Sequence, residues 1–458
     1  MKPRVLVIGG GITGLSCAYR LREGADVQVL EAADRLGGNI RTEERDGFLL
    51  DIGPDSWVAA KPQAARLAKE LGLEKDLIGT IPTSRRVYVA WNGALHPLPE
   101  GLVLGVPTRI GPMVTTPLFS LLGKARMGLE PLIPAKHWGP DDDEAVYAFI
   151  DRRLGDEAAD RLAGPLLGGI FAGDPEKLSV RAAFPQLVDM EKKHGSLIQA
   201  MRAARRVSHG SSAASAFLSL RHGLGSMIDA LTRELAGKTR TGAAVASVAQ
   251  GLESPFRVHL ASGEVLDAEH VVIAVPPRQL SGLVRSLDAG IAESVDDIAV
   301  TSSAVAFLAY KREQVTHPLD GTGFIAPRSE GLEASAATWV SSKWEGRAPE
   351  GHVLLRAFFG GAGKEACVAW SDEELVATAV RELSKMMGPL DGAPLFTRVA
   401  RWTNVRAQPL VGHLVKMKKL HERIARIPGL HVVGSGYDAH AIPDCIRYAE
   451  EAAARILG

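Results

Sequence analysis

The sequence is poor in the features that staple small or secreted proteins. Its 458 residues contain three cysteines, Cys17, Cys367 and Cys445, far apart along the chain. They build neither a disulfide framework nor a four-ligand zinc site, so no metal is expected and the cytoplasm is the expected home. Net charge is also lacking: 53 Lys and Arg balance 53 Asp and Glu. A nucleic-acid binder carries a basic excess, so no nucleic-acid partner is expected. Long apolar runs are missing. The nearest approach, Ile110 to Gly123, is cut by Pro112 and Pro117, and no transmembrane helix is expected. Val5-Leu6-Val7-Ile8 is too short for a signal-peptide core. What is abundant is glycine, 48 residues against an ordinary ~7%. Nine of these glycines lie in the first 53 residues, which points to backbone that must stay bare.

That stretch reads as a βαβ unit. Val5–Ile8 is a buried strand, a helix follows the glycines to about Arg22, and Asp26–Leu30 is a second strand ending at Glu31. Between strand and helix lies Gly9-Gly10-Gly11-Ile12-Thr13-Gly14. Gly9 permits a tight turn, Gly11 lets the backbone approach a pyrophosphate, and Gly14 lets the helix pack on the strand. The helix N-terminus offers free N–H groups and a positive dipole end to the phosphates. Glu31 can accept from a ribose 2′-OH. Arg35-Leu36-Gly37-Gly38-Asn39 follows just beyond it. There Arg35 would supply charge to the pyrophosphate, and the glycine pair would let the chain pass close by. Such a second glycine pair is similar to the extended fingerprint of amine-oxidase-like FAD flavoproteins.

Further motifs run in order to the C-terminus: Gly53-Pro54-Asp55-Ser56, Arg85-x-x-Tyr88-Val89, Gly169-Ile170-Phe171-Ala172-Gly173-Asp174-Pro175, Phe217-Leu218-Ser219-Leu220 and Ile442-Pro443-Asp444-Cys445-Ile446. With these, the chain resembles the oxygen-dependent protoporphyrinogen/coproporphyrinogen oxidases of haem biosynthesis. The resemblance implies an α/β (α+β overall) fold. It would comprise a discontinuous Rossmann-like FAD-binding domain (1–57, 210–280, 400–458), a mixed-sheet substrate domain (58–92, 281–399) and a helical domain (93–209). It implies FAD as cofactor, with Ala32, Gly53, Pro54, Asp55, Ser56, Val245, Trp402, His440, Ala441 and Ile442 joining the glycine turn, Glu31, Arg35, Gly38 and Asn39 around it. It implies a porphyrinogen substrate near Arg85, Leu166, Gly169 and Phe324, with Arg86 and Lys61 as weaker choices for a carboxylate.

The chemistry implied is a six-electron oxidation in which the flavin takes hydride and O2 reoxidises it to H2O2. No catalytic side chain is required, and no Ser/His/Asp or Cys/His arrangement is evident. The family's helical domain touches membranes, and the product passes to a downstream haem-pathway enzyme. Here Leu118, Phe119, Leu121 and Leu122 beside Lys124 and Arg126 read either as an interfacial face or as a core helix. The stretch Lys192, Lys193, Arg202, Arg205, Arg206, Arg221 contains no acid. It reads as a solvated helix followed by the loop His209-Gly210-Ser211-Ser212, or as a surface for anionic lipid or substrate. One departure concerns Ala439-His440-Ala441, where the family usually has a Gly-Val-Gly-like run. Another is the lack of an aromatic before Val411-Gly412-His413. Alternative functions are another oxidase of the same superfamily, or a flavin- or tetrapyrrole-binding protein without activity.

Overall fold

In the computed structural model, which describes residues 2–103, 105–207 and 215–458, the first apolar run becomes β1 (Arg4–Ile8). It lies between β2 (Asp26–Leu30) and the strand His270–Ile273 in a five-stranded parallel sheet. The strands Thr239–Arg240 and Leu430–Val432 form the edges. Val7 faces Val29 on one side and Val272 on the other, and all three are fully buried. That is why β1 is apolar at consecutive positions rather than alternating. Helix α1 (Ile12–Leu21) and the closing helix Ile442–Leu457 share one core, through Leu15, Ala18 and Leu21 on the first and Ile446, Ala449, Ala453 and Ile456 on the second.

The chain divides into two compact units, both discontinuous. The first comprises Met1–Gly79, Ser215–Ile298 and Val415–Gly458. It holds the parallel sheet, and a small antiparallel sheet in which Phe217–Leu220 pairs with Trp57–Val58 and Leu77–Gly79. The second comprises Thr80–Ala214 and Ala299–Leu414. It contains a seven-stranded mixed sheet centred on Val300–Lys311, His352–Gly360 and Ala336–Trp339. Only Gly321–Ile325 against Arg86–Trp91 is a parallel pair in that sheet. The helix Asp372–Met387, opened by a Ser371/Glu374 capping box, covers the sheet with Leu375, Ala379 and Leu383.

The helical segment of the second unit has its own core, with Phe149, Leu162 and Leu187 at its centre. One stretch, Ala159–Gly168, is a π-helix with Pro165 inside it. Proline has no N–H for an ordinary helical turn, and a wider turn accommodates the gap. Fully buried Glu130, Arg153 and Glu191 lie beneath these helices. Arg153 bridges both carboxylates, and Glu130 also accepts from Ser196 Oγ (2.5 Å) and the Leu197 N–H (2.9 Å). The two readings of the segment around Leu118 divide between its residues. Leu118 and Phe119 are core, whereas Leu121 and Leu122 are 84% and 83% exposed. Lys192, Lys193 and Arg202 are exposed on helices. The side chains of Arg205 and Arg206 and the loop 209–212 lie outside the described residues. Among the described residues, no helix is long and apolar enough to cross a membrane.

Candidate functional site

The glycine turn occupies the carboxyl end of the parallel sheet, beside the strand from which the order departs in both directions. Gly9 has φ +107°, and a Cβ there would lie 2.7 Å from the Ala274 carbonyl oxygen. A Cβ on Gly14 would lie 1.9 Å from the Gly9 carbonyl oxygen, so α1 can start this close to β1 only with glycine. Gly11 differs. Its φ is an ordinary −74°, and a Cβ there would meet nothing within 4 Å. The space above it is open. No side chain caps α1, which leaves its first-turn N–H groups to an outside acceptor. Glu31 is fixed at the end of β2 by the N–H of Gly10 on Oε2 (2.7 Å) and of Ala33 on Oε1 (2.8 Å). Each oxygen keeps a lone pair for a hydroxyl.

The second loop is stitched to the first. The Gly37 N–H donates to the Gly10 carbonyl (2.8 Å). Arg35 donates to the carbonyls of Gly38 (2.6 Å) and Leu36 (3.1 Å), so its guanidinium braces its own loop, beside exposed Ala32 and Asn39. A Cβ on Gly53 would sit 1.8 Å from the Asn39 carbonyl oxygen, and this contact sets the start of the Gly53–Ser56 segment. Pro54 is half-buried there. Ser56 Oγ donates to Asp55 Oδ1 (2.7 Å), and the Asp55 carbonyl accepts from Ser219 Oγ (2.6 Å).

Sequence reading missed Asp51, the buried residue that ties these pieces together. It accepts from Thr42 Oγ1 (2.7 Å) and from the Leu224 N–H (2.9 Å), and Thr42 in turn accepts from the Gly225 N–H (2.8 Å). Its only sequence signal was its place at the end of a strand before Gly-Pro. Tyr437 was also missed: its buried hydroxyl donates to the Val275 carbonyl (2.9 Å), holding the turn after His270–Ile273.

The Ala439-His440-Ala441 departure puts no strain on the backbone. None of the three has positive φ, and Ala441 precedes the closing helix in extended conformation (φ −137°). His440, Ala441 and Ile442 are half-buried at that helix's start, and Val245 opens the strand Val245–Gln250. Lys61 is not the carboxylate-binding cation considered above. Its Nζ donates to both oxygens of Asp444 at 2.7 Å, in the first turn of the closing helix. Burial pushes the Cys17 thiol up to about 12 and the Cys445 thiol up to about 11, so neither supplies a thiolate at neutral pH.

The substrate candidates and Trp402 lie in the second unit. Arg85 follows the short helical turn Pro82–Ser84, and its Nη2 reaches the Thr80 carbonyl (3.4 Å). Arg86 is committed to Asp320 (2.5 Å) and its guanidinium also approaches Tyr88, which removes it as a substrate cation. Leu166 is half-buried in the π-helix. Gly169 is exposed at its end, and a Cβ there would meet nothing within 4 Å. Phe324 is a correction: at 2% exposure it belongs to the core of the seven-stranded sheet and offers no open aromatic wall. Trp402 faces Ser303 across the strand pair.

The residues of the first unit suit a dinucleotide such as FAD. They provide an uncapped helix start, open space where Gly11 has no side chain, and a fixed carboxylate just beyond the second strand. A model of the flavin containing amine oxidoreductase family matches residues 12–457. The chain is 36% identical over 469 residues to the coproporphyrinogen III oxidase of Bacillus subtilis (strain 168), covering 100% of this chain and 98% of that protein. It is 29% identical over 477 residues to the chloroplastic protoporphyrinogen oxidase of Nicotiana tabacum, covering 99% and 85%. The crystal structure named "Putative protoporphyrinogen oxidase" from Exiguobacterium sp. 255-15 aligns with TM-score 0.87 and 31% identity, over 100% of this chain and 99% of that one.

Proposed function

This chain belongs to the flavin containing amine oxidoreductase family, and on that premise we propose that it oxidises coproporphyrinogen III to the porphyrin in haem biosynthesis, with O2 as terminal acceptor. It is an oxidoreductase that uses FAD. The observation that carries the substrate is the likeness along the whole chain to a coproporphyrinogen III oxidase, higher than that to a protoporphyrinogen oxidase.

Bound FAD supplies a two-electron acceptor. The overall reaction removes six hydrogens from the macrocycle and converts three O2 to three H2O2. The protein's part is to bind and orient. The α1 N-terminus would hold the pyrophosphate, Glu31 would hold the ribose, and the N-terminus of Ile442–Leu457 would stabilise negative charge placed near it. Trp402 and Val245 join the cofactor's surroundings. Arg85 takes a substrate carboxylate, and Leu166 and Gly169 line the ring's site. Pyrrole N–H protons leave through water, so the buried thiols are not needed.

Exposed Leu121 and Leu122, together with Leu132, support peripheral contact with the inner face of the membrane, from which the product passes to the next haem-pathway enzyme. Flotation with anionic liposomes tests that contact, and protein left at the bottom of the gradient rules it out. The activity is tested by mixing the yellow holoenzyme anaerobically with coproporphyrinogen III. Bleaching of the flavin, followed in air by porphyrin fluorescence faster than with protoporphyrinogen, is the expected result. A flavin left unbleached by coproporphyrinogen III would overturn the reading.

A further inference from the structure

The second unit contains a cation that the roles above leave unused. Arg406 lies near the end of the strand Phe396–Ala407, opposite Thr301 of Val300–Lys311. Trp402 on the same strand lies opposite Ser303. Between these two pairs, one strand advances four residues while its partner advances two, so residues are looped out in a bulge. Within it Asn404 has φ +55°, and its N–H donates to Ser302 Oγ at 2.9 Å. A bulge re-aims the side chains beside it and is common next to functional sites.

This bulge is braced against the turn that follows the π-helix. Gln408 Nε2 donates to the Phe171 carbonyl (3.0 Å), Thr301 Oγ1 to the Ala172 carbonyl (3.4 Å), and Arg406 Nη1 to the Ile170 carbonyl (3.4 Å). The result places Arg406, an exposed residue, beside an exposed apolar ledge. Ile170 is 58% exposed, and Gly169 next to it has open space where a side chain would be.

The charge of Arg406 is not compensated from within the protein. Among the described residues, no carboxylate is within ion-pair distance of it, and the long contact to Ile170 is the one hydrogen bond of its guanidinium. On the same strand, Arg401 pairs with Asp372 (2.5 Å) and donates to two carbonyls. Arg328, also in this unit, pairs with Asp174 (3.2 Å). Solvent reaches Arg406, yet the protein around it removes enough water to push its pKa down. A partly dehydrated cation without a counter-charge is unfavourable until an anion arrives.

We propose that Arg406 binds a carboxylate of the substrate while the Gly169–Ile170 ledge packs against the adjoining apolar ring edge. The proposal rests on the porphyrinogen reading. An arginine fork grips a carboxylate through two N–H groups, and nearly all of this fork is unengaged. Coproporphyrinogen III has four propionates and protoporphyrinogen has two, so such an extra cation favours the former.

The test compares wild type with R406Q, R406A and R406K as flavin-loaded proteins. It reads KM for coproporphyrinogen III, and the Kd for coproporphyrin III and for its tetramethyl ester in the same detergent. R406Q and R406A are expected to raise KM and the free-acid Kd by about 10- to 100-fold, with a smaller change in kcat. R406K recovers part of the loss. Ester binding is expected to stay the same in all four proteins. Flavin absorbance and Tm matching wild type identify folded variants, and R406K serves if R406A does not fold. Unchanged KM and Kd in folded variants, with wild type active, would overturn the Arg406 assignment alone. An equal loss of ester affinity would overturn it too, by showing a general change of shape. A wild type that turns over no porphyrinogen would overturn both readings.

Discussion

The glycine turn of the first unit and the helical segment of the second achieve rigidity by opposite means. In the turn, rigidity comes from missing side chains. Gly9, Gly14 and Gly53 are so close to neighbouring carbonyls that a single carbon would collide with backbone. In the helical segment, rigidity comes from large charged side chains with no solvent at all, Arg153 between Glu130 and Glu191. The first device presents polar backbone to a ligand. The second satisfies buried charge internally and leaves nothing to offer. A binding site therefore belongs with the first, or with a cation such as Arg406 that lacks an internal counter-charge.

This contrast can be broken by substitution. Gly14→Ala is expected to have the largest effect, because the clash at 1.9 Å is with backbone and cannot be relieved by a rotamer. The expected outcome is colourless, poorly folded protein, and a Gly14→Ala variant with normal flavin content and Tm would show that the turn relaxes. Arg153→Met comes next. It strands Glu130 in the interior, and denaturant unfolding is expected to show a loss of about 3–5 kcal/mol. The folded fraction should keep its flavin.

The third test asks where the first unit depends on ionisation. His431 and His270 are on adjacent strands with ring centroids 5.8 Å apart. Burial, helped by His270 and Arg455, pushes His431 down to about 4. The unfolded chain therefore binds a proton that the folded one refuses. Stability is fullest above about pH 6.5 and falls as pH drops toward 4, by up to about 2–3 kcal/mol. Chemical denaturation across that range checks it, and His431→Gln should flatten the slope. The smallest effect is expected from Gly11→Ala. Its φ suits alanine and nothing is within reach of the methyl group, so Tm should hold. Flavin affinity should fall by about tenfold, ~1.4 kcal/mol, because the methyl enters the phosphate's space. Equal flavin affinity would mean the pyrophosphate lies elsewhere.

Much of the first unit was legible because its constraints are local. A strand, a bare turn, a helix and an acid within thirty-odd residues can do few other things, and the closing helix carried its buried face in its spacing. The order of motifs along the chain supplied the remaining candidates for a flavin site. The second unit was less legible. Lys61 and Arg86 read as spare cations, but their partners Asp444 and Asp320 are hundreds of residues away in sequence. Phe324 read as a wall residue, but strand pairing put it inside a sheet. At Ala439-His440-Ala441 none of the three residues takes positive φ, so alanine and histidine fit the backbone there without glycine.

The sequence alone determined the parallel βαβ core, the bare glycine turn and the acid at the end of the second strand, since each follows from short-range sterics and hydrogen-bonding capacity; the flavin class of chemistry came from motifs shared with a family. The tertiary structure alone decided which charges are spent and which are available. An ion pair depends on where two distant segments meet, and a side chain's direction depends on strand register. A bulge of a few residues left Arg406 with no counter-charge, and no local pattern in the sequence marks it.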